Sequence, residues 1–407
     1  MFGFTNPVSA DKEKVRELLE RSTSNVYPSR EALEKVLLSG KRLRVYFGID
    51  PTGATLHLGH AVNLLKLKAF QDLGHDVIIL YGGFTGQIGD PSGKLLSRQA
   101  LSAGQVKKNF ASYKELIGKI LDVKRANVRF LDNENWTNKL KPRDIIDLAS
   151  QFTVAQLLER DMFQDRIKQG KEIYLHEFLY PIFQAYDAVT MDVDVQLGGN
   201  DQTFNMLAGR TLMRKLKNKE KFVVATKLLT DPSGKKMGKT EGNMVGLDET
   251  ADDMFGKIMS WNDSIILSAL ELCTKMTDLE IGALKTKLEQ GMNPRDVKVG
   301  LAKEIVTLYH DASAGNKAAD NFEKTFSKGE MPADAPVAQA QKGEVLVDVL
   351  IKAGAVPSKS EFYRLVKAGA VSIVGGDTIT DEKFVVEKSL DIRVGKHRFV
   401  RIKLKLA

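Results

Sequence analysis

The sequence predicts an α/β protein in which a parallel-sheet domain is followed by a helical domain and then a small α+β module. Three observations carry that prediction. Short apolar runs of the kind that form buried strands alternate with amphipathic helical segments through the first half of the chain. Only helical periodicity follows, from about 245 to 325. A Pro- and Ala-containing stretch without periodicity then separates this region from a last ordered segment. With 407 residues the chain is too long for one ordinary core. The expected boundaries are 1–230 for the sheet domain, with N-terminal helices and a helical insertion near 140–175, then 231–325, a linker at 326–342, and the module at 343–407.

Taken in order, residues 11–40 read as two short amphipathic helices. Val15, Leu18 and Leu19 share one face, as do Leu33, Val36 and Leu37, and Gly40 is a C-terminal stop. Val45-Tyr46-Phe47-Gly48-Ile49 reads as a buried strand, followed by the turn-rich Asp50-Pro51-Thr52-Gly53-Ala54-Thr55. A helix opens near His57 and runs to Gly74 with Leu58, Val62, Leu65 and Ala69 on one face. Val77–Tyr81, Val128–Leu131 and Asp192–Leu197 are further strands. In such a sheet, ligands bind beyond the carboxyl ends of the strands. That rule points to residues 50–60, 82–98 and 198–202 before any motif is considered.

Residues 152–172 form a charged helical stretch with Phe152, Val154, Leu157, Leu158, Met162 and Phe163 as its apolar positions. An outer helix and a subunit interface fit it equally. In the last module, Val345–Ala353 is helical. Ser358 and Glu361 make a capping box for a second helix holding Phe362, Leu365 and Val366, and Arg398–Leu404 alternates as a strand.

Composition excludes several classes. Hydrophobic residues make up 43% of the chain, too many for extensive disorder. No apolar run approaches the ~20 residues of a membrane span, and Met1–Pro7 lacks the features of a signal peptide. The single cysteine, Cys273, sits among Ile265, Ile266, Leu270 and Leu272, where a buried, inert thiol is expected. Secretion is unsupported, a reducing compartment fits best, and the expected location is the cytoplasm. The net charge of +8, from 60 Lys and Arg against 52 Asp and Glu, permits a polyanionic partner without demanding one.

His57-Leu58-Gly59-His60 opens the first helix after the first strand, where backbone donors and the helix dipole favour a phosphate. Two histidines at i and i+3 reach the same ligand, and Gly59 lets a planar base approach. A metal pair would need a third ligand, and none is nearby. Lys235-Lys236-Met237-Gly238-Lys239-Thr240 suits a polyphosphate clamp, although a lysine cluster alone is more often a solvated loop. Gly93-Lys94 is no P-loop, because Ile88 replaces the first glycine and Leu95 the hydroxyl residue. Gly82–Gly89 lacks the glycine spacing of a dinucleotide-binding turn, which leaves a dehydrogenase a weak alternative.

Together the histidine tetrad and Lys236-Met237-Gly238-Lys239-Thr240 resemble the two signatures of class I aminoacyl-tRNA synthetases. Gly89-Asp90-Pro91-Ser92-Gly93-Lys94, Tyr180–Asp187 and Gly198-Gly199-Asn200-Asp201-Gln202 resemble the bacterial tyrosyl members of that family, in order along essentially the whole chain. The resemblance implies a Rossmann-like catalytic domain, a helical anticodon-side domain and a C-terminal S4-like RNA-binding domain. The implied substrates are L-tyrosine, ATP accompanied by Mg²⁺, and the tRNA for tyrosine. It also implies a homodimer, no membrane, no tightly bound cofactor and no resident metal.

Residue by residue, it places Tyr46 and Asp187 at the phenol end of a tyrosine slot, and Asp90, Tyr180 and Gln184 around the substrate ammonium. Tyr180, Gln184 and Asp187 at i, i+4 and i+7 fall on one helix face. Thr52, His57, His60, Lys94, Arg98, Lys236 and Lys239 would stabilise the phosphates as charge develops. Asp50, Gly48, Gly59, Gly199, Asp201, Gln202 and again Lys239 would hold ATP and the adenylate. Phe47, Thr203, Gly238 and Thr240 depart from the commoner family pattern, and none of them removes a histidine or a lysine. Lys388, Arg393, Lys396, Arg398, Arg401, Lys403 and Lys405 against Asp391 alone suit a phosphate backbone. Lys215, Lys217, Lys219 and Lys221 fit either the tRNA acceptor stem or a solvated loop. Tryptophan specificity and a catalytically silent RNA-binding protein are the rival readings.

Overall fold

The structure, a computed structural model, describes residues 7–90, 102–231, 233–234, 244–324, 335–395 and 398–405. The chain forms two compact units, residues 1–248 with 262–292, and residues 249–261 with 293–407.

The first unit is built on a six-stranded sheet of β1 (Thr23–Tyr27), β2 (Arg44–Ile49), β3 (Asp76–Tyr81), β4 (Val128–Asp132), β5 (Val195–Gly199) and β6 (Phe222–Thr226). Their spatial order is β1-β6-β5-β2-β3-β4. All pairs are parallel except β1, which runs antiparallel along β6. β5 and β6 are buried along their whole length, as expected of parallel strands covered on both faces. The helices of this part are α1 (Lys12–Glu20), α2 (Arg30–Leu38), α3 (Leu58–Asp72), α4 (Thr85–Ile88), α5 (Ala103–Gly118), α6 (Glu134–Thr137), α7 (Pro142–Ala149), α8 (Val154–Leu158), α9 (Asp161–Lys168), α10 (Leu175–Met191) and α11 (Thr203–Lys217). Tyr46, Ile78 and Leu80 from the sheet pack with Ile182, Ala185 and Ala188 of α10 and Ala208 and Leu212 of α11.

The chain moves outward from β2 in both directions, through β3 and β4 on one side and β5 and β6 on the other. The strand order therefore reverses between β2 and β5, which opens a crevice at their carboxyl ends.

Three local expectations need correction. β1 lies between the two N-terminal helices, and its polar Thr-Ser-Asn start gave no strand pattern. β5 begins at Val195 because Asp192, at φ 50°, first terminates α10 in the left-handed region. The 152–172 stretch is two short helices, α8 and α9, separated where Arg160 is extended.

Beyond β6, α12 (Ala251–Met259) belongs to the second unit, whereas α13 (Ile266–Cys273) and α14 (Asp278–Glu289) return to the first. The 231–325 region is therefore not one contiguous domain. In the second unit α12 is joined by α15 (Pro294–Tyr309) and α16 (Ala312–Phe322), with Met254, Phe255, Leu301 and Ile305 buried. The C-terminal module contains β7 (Val337–Ala340), β8 (Glu344–Val345), α17 (Leu346–Lys352), α18 (Lys359–Lys367), β9 (Val371–Ile373), β10 (Val385–Val386), β11 (Leu390–Val394) and β12 (Arg398–Leu404). β7-β12-β11-β9 form a sheet whose core includes Leu346, Leu350, Phe362, Val366, Val400 and Ile402. β7 pairs in parallel with β12, so the end of the expected 326–342 linker is a strand. Its inward residues, Ala338 and Ala340, are too small to give an apolar signal.

Candidate active site

At the carboxyl end of β2, Asp50 turns the chain sharply, and the Thr52 amide donates to its carbonyl at 2.7 Å. α5 holds this turn from outside. Asn109 donates to the Pro51 carbonyl, Tyr113 to Gly53 and Ser112 to Ala54. The Asp50 carboxylate accepts from the Thr85 hydroxyl and the Tyr180 hydroxyl, both at 2.8 Å. A Cβ added at Gly82 would collide with this carboxylate, leaving no room there for a side chain.

α3 then opens at His57, whose Nδ1 accepts from the Gly59 amide at 3.1 Å, while the His57 amide donates to His60 Nδ1 at 3.3 Å. The two rings lie 4.0 Å apart. Both imidazoles are thus fixed by the helix start. Val245 and Leu247, which follow the lysine segment, bond the same stretch through Leu58 and Leu56.

A set of buried polar groups lies on and around β2. Tyr46, adjacent to Gln196 across the sheet, is fully buried, and its hydroxyl has no hydrogen-bond partner. Burial, and then the charge of Asp187, raise its pKa well above the ordinary phenol value. Asp187, on α10, is also buried. One of its carboxylate oxygens accepts from Trp136 Nε1 at 2.8 Å and the other from Asn133 Nδ2 at 3.1 Å. Burial pushes this carboxyl up to about 7, against the lowering effect of those two donors. One and two turns earlier on the same helix, Gln184 Oε1 is buried without a partner and Tyr180 binds Asp50. Asp90 accepts from Gln202 Nε2 at 2.6 Å, and Asn205 orients that amide at 2.9 Å. These elements thus present the Tyr46 hydroxyl and the Asp187 carboxylate as one polar pair, and separately the Asp90 carboxylate and the unpartnered Gln184 oxygen.

Residues 38–327 match the model of the class I tRNA synthetases (W and Y). The chain belongs to that family. Among its relatives, the tyrosine–tRNA ligase of Carboxydothermus hydrogenoformans is 44% identical over 97% of this chain and 99% of its own. The tyrosine–tRNA ligase of Thermotoga maritima is 42% identical over 96% and 97%. Among solved structures, a C-terminally truncated mitochondrial tyrosyl-tRNA synthetase from Aspergillus nidulans aligns with a TM-score of 0.64 at 23% identity, covering 77% of this chain and 94% of that one. A tyrosyl-tRNA synthetase from Archaeoglobus fulgidus, complexed with L-tyrosine, aligns at 0.59 and 18%, covering 76% and 100%. At these identities the structural likeness speaks for the fold.

In this class I synthetase, Gly48, Asp50, Thr52, His57, Gly59, His60, Asp90, Gly199, Asp201 and Gln202 all lie at or just beyond the carboxyl ends of β2, β3 and β5. Gly48 is exposed on the edge of the crevice. At Gly199 an added Cβ would meet Asp201 Oδ1 at 2.5 Å. Lys94, Arg98, Lys236 and Lys239 lie outside the described residues, as does Lys396. Lys221 does not belong with its exposed neighbours Lys215 and Lys217. It is fully buried, donates to Gln196 Oε1 and Met206 O, and lies 5.9 Å from the centre of the Tyr46 ring.

Sequence reasoning missed Asn133, Trp136, Thr85 and Arg160. The first two follow β4, and the strand-end rule that selected residues 50–60 and 198–202 would have selected them too. Thr85 lay within a selected segment but carried no motif. Arg160 gave no signal, because a lone arginine in a charged helical stretch reads as surface.

Proposed function

We propose that the protein is a tyrosine–tRNA ligase that activates L-tyrosine with ATP and transfers it to the 3′ end of its tRNA. One observation carries the choice of amino acid. The Tyr46 hydroxyl is buried with nothing to bond, beside a buried Asp187 whose two oxygens are already oriented by Asn133 and Trp136. A phenol hydroxyl would donate to Asp187 and accept from Tyr46. Phenylalanine would leave both groups buried and unsatisfied. An indole N–H could donate but offers no acceptor for Tyr46.

At the other end, Asp90, Tyr180 and the free Gln184 oxygen take the ammonium. The substrate carboxylate is thereby aimed at the α-phosphorus of ATP. Its oxygen forms the new P–O bond, the bond to the bridging oxygen breaks, and pyrophosphate leaves with that electron pair. Thr52, His57, His60, Lys94, Arg98, Lys236 and Lys239 stabilise the charge that develops on the phosphates, with Mg²⁺ entering on ATP. Gly48, Asp50, Gly59, Gly199, Asp201 and Gln202 hold the nucleoside and the adenylate. A terminal ribose hydroxyl then attacks the tyrosyl carbonyl, and AMP leaves. The rate gain comes from positioning and electrostatics, with no covalent enzyme intermediate.

The C-terminal module serves as the RNA-binding part, since Lys388, Arg398, Lys403 and Lys405 are exposed on it. The active assembly is a homodimer. Ile146, Val154, Ile167, Tyr174 and Leu175 are exposed large apolar side chains in and around the 152–172 segment, and a second copy would cover them. A monomeric mass in solution scattering at micromolar concentration would refute the dimer. No described helix is long and apolar enough to cross a membrane, and the reading places the enzyme in the cytoplasm.

The deciding experiment is ATP–pyrophosphate exchange with each amino acid supplied singly and no tRNA. Exchange with tyrosine alone is expected. Exchange with another amino acid would overturn the slot assignment, and none from folded protein would favour a silent RNA-binding protein.

A further inference from the structure

Among the described residues, Arg160 is one of two buried arginines, and it lies beside Asp90. It sits in the extended residue between α8 and α9, with its side chain only 5% exposed. Its guanidinium carbon lies 4.9 Å from the centre of the Phe204 ring and 5.4 Å from that of Phe163. Its Nη2 lies 4.0 Å from Asp90 Oδ1. Burial lowers its pKa, and the charges of Asp90, Tyr180 and Glu177 counter that effect. Two aromatic faces and a carboxylate thus offset the desolvation of a cation that a surface loop would leave in water.

The location gives this arrangement a purpose. Asp90 is the carboxylate that receives the substrate ammonium, and this inference rests on that reading. Its Oδ2 is held by Gln202, and its Oδ1 is the oxygen nearer Arg160. To receive the ammonium, Asp90 must keep one oxygen turned toward the substrate. The guanidinium beside Oδ1 favours the orientation that leaves Oδ2 for the substrate.

We propose that Arg160 is a positioning residue for amino-acid recognition: it holds the Asp90 carboxylate by its Oδ1 side, so that Oδ2 passes from Gln202 to the arriving ammonium. Arg160 itself touches neither tyrosine nor ATP. Its effect is confined to ligands that carry an amino group.

The test compares dissociation constants by calorimetry for three ligands, namely tyrosine, tyrosinol (ammonium but no carboxylate) and 3-(4-hydroxyphenyl)propanoate (carboxylate but no ammonium). The proteins are the wild type, Arg160→Met, Arg160→Lys and Asp90→Asn. Arg160→Met is expected to weaken tyrosine and tyrosinol by about tenfold or more while leaving the propanoate within about twofold. Arg160→Lys, which keeps the charge, is expected to retain most of the preference for amino ligands. Equal losses for all three ligands in Arg160→Met would show a packing role only and overturn the proposal. So would an unchanged preference in Arg160→Met, or a preference lost equally in Arg160→Lys. If Asp90→Asn leaves the ratio of tyrosine to propanoate affinity at the wild-type value, Asp90 is not the ammonium site. The underlying reading then fails, and the proposal with it.

Discussion

Asp187 shows how a single residue is tuned by neighbours that carry no motif. Its carboxyl is pushed up to about 7 by burial, while the donors on Asn133 and Trp136 favour the ionised form. On the proposed reading tyrosine binding needs that ionised form as acceptor, so affinity for tyrosine should fall as pH drops below about 7 while the KM for ATP stays flat. Removing a donor favours protonation. Asn133→Ala and Trp136→Phe should therefore move the inflection to higher pH, by about one unit. Pyrophosphate exchange at graded tyrosine concentrations across pH 5.5–9 reads this directly, and an unmoved or lowered inflection would remove the two donors from the account. Sequence reasoning singled out Tyr180, Gln184 and Asp187 within the 180–187 motif, and Tyr46 only through the family resemblance. The sequence concealed Asn133, Trp136 and Arg160 because their roles exist only once β4 and the α8–α9 break bring them to the crevice.

The elements that carry the site are themselves held by buried charge. Arg166 of α9 and Glu177 in the first turn of α10 form a two-pronged pair, at 2.6 and 2.9 Å, with both side chains almost fully buried. Glu177 Oε1 also accepts from the Tyr174 amide at the start of α10. That pair sets where the helix bearing Tyr180, Gln184 and Asp187 begins. Glu177→Gln should cost about 3–5 kcal/mol in urea unfolding, because it strands a buried guanidinium, and should weaken tyrosine binding as well. A loss under about 1 kcal/mol would mean that α10 is placed by its apolar face alone.

Lys66 of α3 plays a comparable part. It donates to the carbonyls of Leu18 and Arg21 at the end of α1, and to Thr23 of β1. Burial lowers its pKa to about 7. Between about pH 7 and the ordinary lysine range the unfolded chain binds the extra proton, so Lys66 makes stability rise with pH there, by about 1.4 kcal/mol per unit. Lys66→Met should remove that component of the slope in denaturant titrations at pH 7–10. Apolar periodicity revealed α1, α2 and α3 in the sequence. It could not reveal β1 between them, since a strand with an exposed polar start looks like a turn.

For the whole molecule, the parallel sheet, the helical region and the terminal module were legible in the sequence because each has its own apolar period. The interleaving was not. That residues 262–292 return to the first unit, and that Val337–Ala340 join the terminal sheet, depends on partners remote in the chain. The terminal module makes a measurable prediction. Each of Lys403→Ala and Lys388→Ala should lower the slope of log affinity for tRNA against log salt by about 0.7–0.9, leaving tyrosine-dependent exchange unchanged. Filter binding at several KCl concentrations measures this, and an unaltered slope would place the RNA elsewhere.

The edge of the first sheet has a practical consequence. The family match begins at residue 38, yet the outer strand, residues 23–27, precedes it. A fragment started at that boundary would leave Phe222-Val223-Val224-Ala225-Thr226 with one row of amides and carbonyls bare. That segment has no charge and no proline to discourage a neighbouring chain from adding itself. Such a fragment would go to inclusion bodies even with every catalytic group in place, so the residues ahead of the family boundary act as a guard against self-association.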